Sequence, residues 1–185
     1  IEISAYDYKR KRKVHILAYQ YDLEATNIKK LTEPLLNRRH QHSLSQIDKI
    51  REYGIDVDMD KVMETVGPLG VVYKQHNMHA ICDEDYTNPR YTTKYRTLFK
   101  NQGPASGDIA YIDCLDALKA IRLDKGLAVI AHPGQLNSYE LIEEYHEYID
   151  GVEKYQPDHN QEDYDKVDAL VDKYDFFITG GSDYH

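Results

Sequence analysis

The alternation of short apolar runs with helical patterns is the feature that most constrains how this chain can fold. Five apolar runs are typical of buried strands: IEISAY (1–6), KVHILAY (13–19), LAVIAHPG (127–134), GVEKYQ (151–156) and FFITGGSD (176–183). Helical spacing of apolar residues separates the later runs, over 113–126, 138–150 and 161–175. This alternation predicts an α/β fold with a parallel sheet or barrel, which binds its ligands at the carboxyl ends of the strands.

The middle of the chain follows a different pattern. From Leu23 to about Tyr53 it is long, charged and helical in period, and 54–67 and 73–86 predict two shorter helices. The polar stretch 83–99 is interpreted as a loop that crosses back. We therefore predict a helical insertion subdomain over 23–99, with 1–22 and 100–185 forming the sheet or barrel.

Composition narrows the class of protein. The 185 residues suffice for one core with an insertion, and 32 acidic against 23 basic residues give a net charge of −9. This charge argues against a general grip on long nucleic acids but is compatible with small anionic substrates held by local cations or metals. Cys82 and Cys114 lack the spacing of a disulfide scaffold or zinc ribbon. Without a long apolar run or a signal peptide pattern, we expect a cytoplasmic protein that does not enter membranes.

The segment ITGGSDYH (178–185) places an aspartate and a histidine two residues apart after an apolar strand and two glycines. In an extended chain Asp183 and His185 point to the same side, because side chains alternate with period two. Such a pair at a strand end is typical of a metal site. An ordinary Asx-type turn followed by a surface histidine explains the segment as well.

Other polar side chains occur where predicted strands begin, run or end: Glu2, His15, His132 and Glu153. Taken singly, each is most simply a core or turn residue whose polar atoms are satisfied locally. Together they favour one shared metal site, because buried charged groups need partners or a metal. The spacing alone leaves both interpretations open.

The stretches IEIS, KVHILAYQYD, VIAHPGQ, GVEKYQPDHN and GGSDYH together resemble the PHP (polymerase and histidinol phosphatase) phosphoesterase family. The resemblance is to the stand-alone metal-dependent phosphoesterases of the TrpH/YciV type and extends over the whole chain. It implies a distorted seven-stranded TIM-like β/α barrel with a helical insertion, and two or three divalent metals (Mn, Fe or Zn). It also implies that a metal-bound hydroxide attacks phosphorus, so that no side chain acts as the nucleophile.

The resemblance implies roles for particular residues. Five match the family's metal ligands: Glu2, His15, His132, Asp183 and His185. Four more are implied or considered as substrate-binding residues: His159, His79, Arg38 and Arg39. For His159 a surface-loop role, and for the two arginines a solvated helical face, remain as alternatives. His79 lacks the Arg-Pro that usually precedes the matching histidine, and here Asn77–Met78 stand in its place.

The family opens with an HxH motif and further ligands on strands before the one that carries the matching glutamate. The present sequence begins at Ile1, immediately before Glu2, so we expect an N-terminally truncated chain whose own activity is in doubt. The first strand or strands of the barrel are then expected to be missing from it.

The predicted function is metal-dependent hydrolysis of a phosphate ester. The resemblance implies a small nucleotide-like phosphomonoester or a short oligonucleotide phosphodiester as substrate. Two alternatives remain: a histidinol-phosphate phosphatase, against which the helical insertion argues, and a catalytically inert PHP module, which the absent HxH motif favours.

Overall fold

The structure is a computed structural model that describes residues 1–68 and 70–183. The chain divides into two compact units. The first comprises Ile1–Glu33 together with the chain from Tyr111 onward, and the second comprises Pro34–Ala110. Among the residues described, no helix is both long enough and apolar enough to cross a membrane.

The first unit is built on a six-stranded mixed sheet with strand order β3-β1-β2-β4-β5-β6. Its strands are β1 (Glu2–Asp7), β2 (Arg12–Tyr19), β3 (Ile112–Asp113), β4 (Leu127–Ile130), β5 (Gly151–Tyr155) and β6 (Phe177–Gly180). Its helices after β3 are α5 (Cys114–Leu123), α6 (Pro133–Leu136), α7 (Tyr139–Tyr145) and α8 (Gln161–Tyr174), with a 3-10 turn over His146–Tyr148. The predicted strands and helices of this unit are therefore present, and β3 and α6 are additions.

The prediction of a parallel sheet is wrong for β2, which runs antiparallel to both β1 and β4. Only residues 8–11 separate β1 from β2. A connection of this length joins antiparallel strands, because a parallel crossover needs a dozen or more residues. The β4-β5-β6 part, whose strands are joined through helices, is parallel as predicted.

The β1–β2 hairpin buries one face and leaves the other partly open. Ile3, Ala5 and Asp7 are buried on β1, and Val14, Ile16 and Ala18 are buried on β2. Helix α5 packs against β1, β2 and β4 and has five buried residues: Cys114, Ala117, Leu118, Ala120 and Ile121. Burial of each leucine or isoleucine side chain stabilises the folded state by about 1.5–3 kcal/mol. The alternate positions of both strands, which include Glu2 and His15, therefore lie on the opposite face.

The second unit is helical. It contains most of α1 (Thr26–Glu52), together with α2 (Met59–Glu64), α3 (Lys74–Ile81) and α4 (Pro89–Phe99). Its core is formed by Ile47, Ile50, Val57, Val62, Val72, Met78, Cys82, Leu98, Phe99 and Ala105. The predicted helices over the chain up to residue 81 are present in this order.

The interpretation of 83–99 as a loop is wrong for its second half, which forms α4. Asn88 caps this helix by accepting a hydrogen bond from the Arg90 amide, and Pro89 occupies the first turn. Leu98 and Phe99 anchor its end in the core. The polar composition of this segment gave no helical pattern, because the helix is stabilised at one end by its cap and at the other by burial.

Candidate metal centre

Three side chains of the first unit meet at one place on the open face of the sheet. Glu2 comes from β1, His15 from β2, and His132 from the turn directly after β4. Strand register brings them together: Ser4 pairs with His15, and the Ala131 amide donates to the His15 carbonyl at 3.0 Å. One ligand atom from each of the three lies within 4.8 Å of the others.

The glutamate lies close to both histidines, and the histidines lie close to each other. Glu2 Oε1 lies 2.7 Å from His15 Nδ1 and 3.7 Å from His132 Nε2. The two imidazoles approach each other at 3.1 Å, between His15 Nδ1 and His132 Nε2. The two rings are nearly perpendicular, with an interplanar angle of 80°. One carboxylate oxygen and two imidazole nitrogens therefore point into a common space.

His132 is held in place by its backbone as well as by its neighbours. Its φ angle is +27°, in the left-handed region that residues other than glycine rarely adopt, and its exposure is only 1%. Pro133, which follows, begins α6 and fixes the direction in which the chain leaves the site. Backbone strain of this kind persists only where the surroundings enforce it, and it concentrates at functional sites.

The electrostatics of the cluster favour a charged pair when no cation is bound. Hydrogen bonds from His132 and His15 hold the pKa of Glu2 far below its usual range. Burial of His132 opposes its protonation, but the hydrogen bond to Glu2 and the charges of Asp183, Glu2 and Glu153 outweigh burial and raise its pKa. Protons therefore compete with a metal for His132, and the affinity for metal falls as the pH falls.

Asp183 approaches the cluster from the segment after β6. Its Oδ1 lies 3.9 Å from His132 Nε2, and its φ angle is +51°. Asp and Asn tolerate this left-handed conformation better than most residues do. The carboxylate is thus placed beside the three-residue cluster, whereas His185, the second member of the predicted pair, lies outside the described residues.

Glu153 supports the cluster by binding the backbone amide of His132. It is 4% exposed, and its Oε2 accepts a hydrogen bond of 2.9 Å from the His132 amide. Gly181 passes so close to this carboxylate that a β-carbon there would lie 2.4 Å from Glu153 Oε1. The second glycine of the GGSD segment therefore leaves room for a buried glutamate. An acidic residue inside an apolar strand was the signal in the sequence, but its partner, a backbone amide, was not visible there.

We expect Glu153→Gln to weaken divalent metal binding by about tenfold, the lower end of the effect of supporting groups around metal sites. The amide oxygen can still accept the His132 N–H, so the change removes charge rather than the contact. Titration calorimetry with Mn²⁺ measures the effect, and the exposed Glu147→Gln is the matched control. Equal affinities for the wild type and Glu153→Gln would contradict a supporting role.

The donor set fits a divalent transition metal. Imidazole nitrogen suits Zn, Fe and related ions, and carboxylate oxygen suits Mn and Mg, so the mixture matches the predicted group of metals. The Nδ1 atom of His132 is buried and has no hydrogen-bond partner among residues 1–68 and 70–183. A buried ring nitrogen of this kind is costly unless another ligand or group satisfies it. The residues present are therefore compatible with a metal.

Comparison with known proteins also supports a metal site in this chain. The chain is 44% identical over 186 aligned residues to phosphoribosyl 1,2-cyclic phosphate 1,2-diphosphodiesterase from Eggerthella lenta, covering all of this chain and 71% of that protein. This chain belongs to the PHP family of metal-dependent phosphoesterases. No family model matches the chain.

Two solved structures share the PHP-type fold of this chain. One is named as a metal-dependent phosphoesterase from Bifidobacterium adolescentis, with a TM-score of 0.85. The other is an amidohydrolase from Chromobacterium violaceum with bound sulfate and no metal, with a TM-score of 0.81. Each is 20% identical, and this chain covers 66% of each, slightly less than two thirds of their length.

Membership of the PHP family confirms two predictions made from the sequence. The family assignment from the AHPG, VHIL and GGSDYH motifs is confirmed, as is the class of enzyme, a metal-dependent phosphoester hydrolase. The fold is confirmed at the level of a mixed α/β structure that matches PHP-type proteins over part of their length.

His159, predicted to bind substrate, lies in the first unit with both ring nitrogens near backbone atoms. Nδ1 lies 2.8 Å from the Lys154 carbonyl, and Nε2 accepts the Gly134 amide at 3.2 Å. His159 is 8% exposed, and a β-carbon on Gly134 would lie 2.9 Å from its ring. In this arrangement His159 ties the end of β5 to the AHPG turn, next to the segment that carries His132.

The other three predicted substrate-binding residues lie in the second unit. Arg38 is exposed and donates from Nε to the Ala110 carbonyl at 3.0 Å. The guanidinium of Arg39 lies 5.7 Å from the centre of the Tyr73 ring, and His79 is exposed in the last turn of α3. Their substrate-binding role stays a prediction.

Proposed function

We propose that this chain belongs to an enzyme that hydrolyses the cyclic phosphodiester of a phosphoribosyl 1,2-cyclic phosphate. The observation that carries the proposal is the Glu2–His15–His132 cluster in a chain 44% identical to a diesterase named for that substrate. Hydrolysis adds water across one P–O bond of the cyclic diester and leaves a phosphomonoester and a free hydroxyl group. The acidic composition argues against long nucleic acids and is compatible with a small anionic substrate held by local cations or metals.

In this proposal Glu2, His15 and His132 bind divalent cations together with Asp183 and His185. Two or three cations, drawn from Mn, Fe and Zn, are proposed because these residues match metal ligands of the PHP family. A bound cation supplies Lewis-acid stabilisation of phosphoryl oxygens and lowers the pKa of water.

The other side chains near the site position these ligands. The Glu153 carboxylate accepts a hydrogen bond from the His132 amide, and the His15 carbonyl accepts one from the Ala131 amide. His159 fixes the AHPG turn through Gly134, so we propose a positioning role for it in place of direct substrate contact. Arg38, Arg39 and His79 are kept as candidates for contact with the anionic substrate.

We further propose that the six strands belong to a seven-stranded, distorted TIM-like barrel. Two observations support this proposal: β3 and β6 are the outer strands of the sheet, and Phe177 and Ile178 on β6 are more than a third exposed. The second unit then corresponds to the helical insertion predicted for 23–99. A cytoplasmic location, with no membrane or long nucleic acid partner, completes the proposal.

The proposal is tested on the purified full-length protein by measuring product release from phosphoribosyl 1,2-cyclic phosphate and from histidinol phosphate. We expect turnover of the cyclic phosphate with Mn²⁺, loss of turnover with EDTA, and recovery when the metal is added back. Metal content is measured in parallel by plasma mass spectrometry.

The two alternatives give different results in the same experiment. Preferential hydrolysis of histidinol phosphate would support the histidinol-phosphate phosphatase. Retained metal without turnover of either compound would support an inert module, and both results contradict the proposal.

A further inference from the structure

The open face of the β1–β2 hairpin continues beyond the metal cluster. Ser4 pairs with His15, and the next pair on the same face is Tyr6 with Lys13. The residues between them, Ala5 and Val14, are buried on the opposite face. Lys13 is therefore the nearest cation on this strand to His15 on the same face, with an α-carbon spacing of about 7 Å.

An aromatic platform holds Lys13 in position. Its ammonium group lies 4.8 Å from the centre of the Tyr111 ring, within the range of a cation–π interaction. Tyr111 stacks against Tyr6 at 6.5 Å with an interplanar angle of 14°, and Tyr8 donates to the Tyr111 carbonyl at 2.9 Å. The Lys13 side chain is thus packed on a supported surface beside the cluster.

Lys13 is the last of five consecutive cations in the sequence KRKRK (9–13). Lys9 contacts Glu144, Arg10 contacts Asp7 and Glu144, and Arg12 donates to the Asn137 carbonyl at 2.6 Å. These contacts tie the hairpin to the segment that follows His132. Lys13 alone of the five lies on the open face at a strand position next to His15.

We propose that Lys13 binds the non-cyclic phosphate of the phosphoribosyl substrate and so determines specificity for it. The inference rests on the proposed function, because that substrate carries two phosphates separated by a ribose. One phosphate reacts at the Glu2–His15–His132 cluster. Lys13, two strand residues from His15 on the same face, presents an ammonium group to bind the other phosphate by a charge-assisted hydrogen bond.

The test compares phosphoribosyl 1,2-cyclic phosphate with ribose 1,2-cyclic phosphate, which lacks the non-cyclic phosphate, as substrates of the full-length holoenzyme. For Lys13→Met we expect kcat/KM to fall about 10–100-fold on the first substrate, mainly through KM, and to stay unchanged on the second. Lys13→Arg retains the charge and is expected to recover most of the loss. The exposed Lys119→Met, on α5, is the matched control.

A second measurement keeps the inference independent of turnover. Binding of ribose 5-phosphate is measured by calorimetry with EDTA present, so that metals cannot hold the phosphate. We expect the wild type to bind at least tenfold more tightly than Lys13→Met.

The outcomes separate the two proposals. An equal loss of kcat/KM on both substrates, no loss on either, or equal binding of ribose 5-phosphate overturns the role of Lys13. Absence of turnover in the wild type overturns the proposed function, and the binding result then decides the role of Lys13.

Discussion

Replacing Glu2 by glutamine is expected to lower kcat/KM for the phosphodiester by about 10²–10³-fold and to reduce bound metal. The physical reason is that Glu2 contributes the carboxylate nearest to both histidines of the cluster, 2.7 Å from His15 Nδ1. Loss of a metal's Lewis-acid contribution costs several kcal/mol in the transition state, and each 1.4 kcal/mol or so corresponds to about tenfold in rate. Steady-state kinetics and plasma mass spectrometry on the same samples measure both effects.

The control for this variant is Glu24→Gln, which removes an exposed carboxylate from the same unit. We expect wild-type metal content and rate for the control. Circular dichroism shows whether Glu2→Gln is folded. A folded Glu2→Gln protein with unchanged metal content would exclude Glu2 as a ligand.

Replacing Arg10 by methionine is expected to lower the free energy of unfolding by about 2–4 kcal/mol. Arg10 Nη1 lies 2.9 Å from Asp7 Oδ2, and the Asp7 side chain is only 1% exposed. Removal of the guanidinium leaves a buried carboxylate whose remaining partners, within residues 1–68 and 70–183, are the backbone amides of Lys9 and residue 10. Chemical denaturation followed by circular dichroism measures the change.

The matched control is Arg122→Met, because Arg122 forms a more exposed ion pair with Asp150 at 3.8 Å. Exposed pairs contribute about 0–1 kcal/mol, so we expect a much smaller change. If the two variants lost equal stability, burial of the Arg10–Asp7 pair would not be the source of its effect.

The order of strands and helices could be predicted from periodicity because most elements of the first unit carry their own pattern. Helix α5 has apolar residues at helical spacing, and β2 alternates buried and open positions. Helix α4 was missed because its face contains tyrosines, threonines and cations, and its two buried residues come at its end. The direction of β2 depended on the short connection over residues 8–11.

The candidate site was predictable as a set of residue types but not as a set of contacts. Glu2, His15 and His132 carried motif signals, and strand register brings them within 4.8 Å. His159 also carried a motif signal, yet it lies against the Lys154 carbonyl and the Gly134 amide. The sequence alone does not distinguish a loop histidine that contacts a ligand from one that is hydrogen-bonded to the backbone.

By itself, the sequence determined the family, the class of reaction and the main elements, because these depend on local periodicity and on short motifs. Tertiary structure decided which groups meet: the left-handed backbone at His132, the buried Glu153 below it, and Lys13 packed on Tyr111. The reason is physical. Register, close approach at Gly181 and ring packing depend on residues far apart in the chain, whereas periodicity records only the neighbours of each residue.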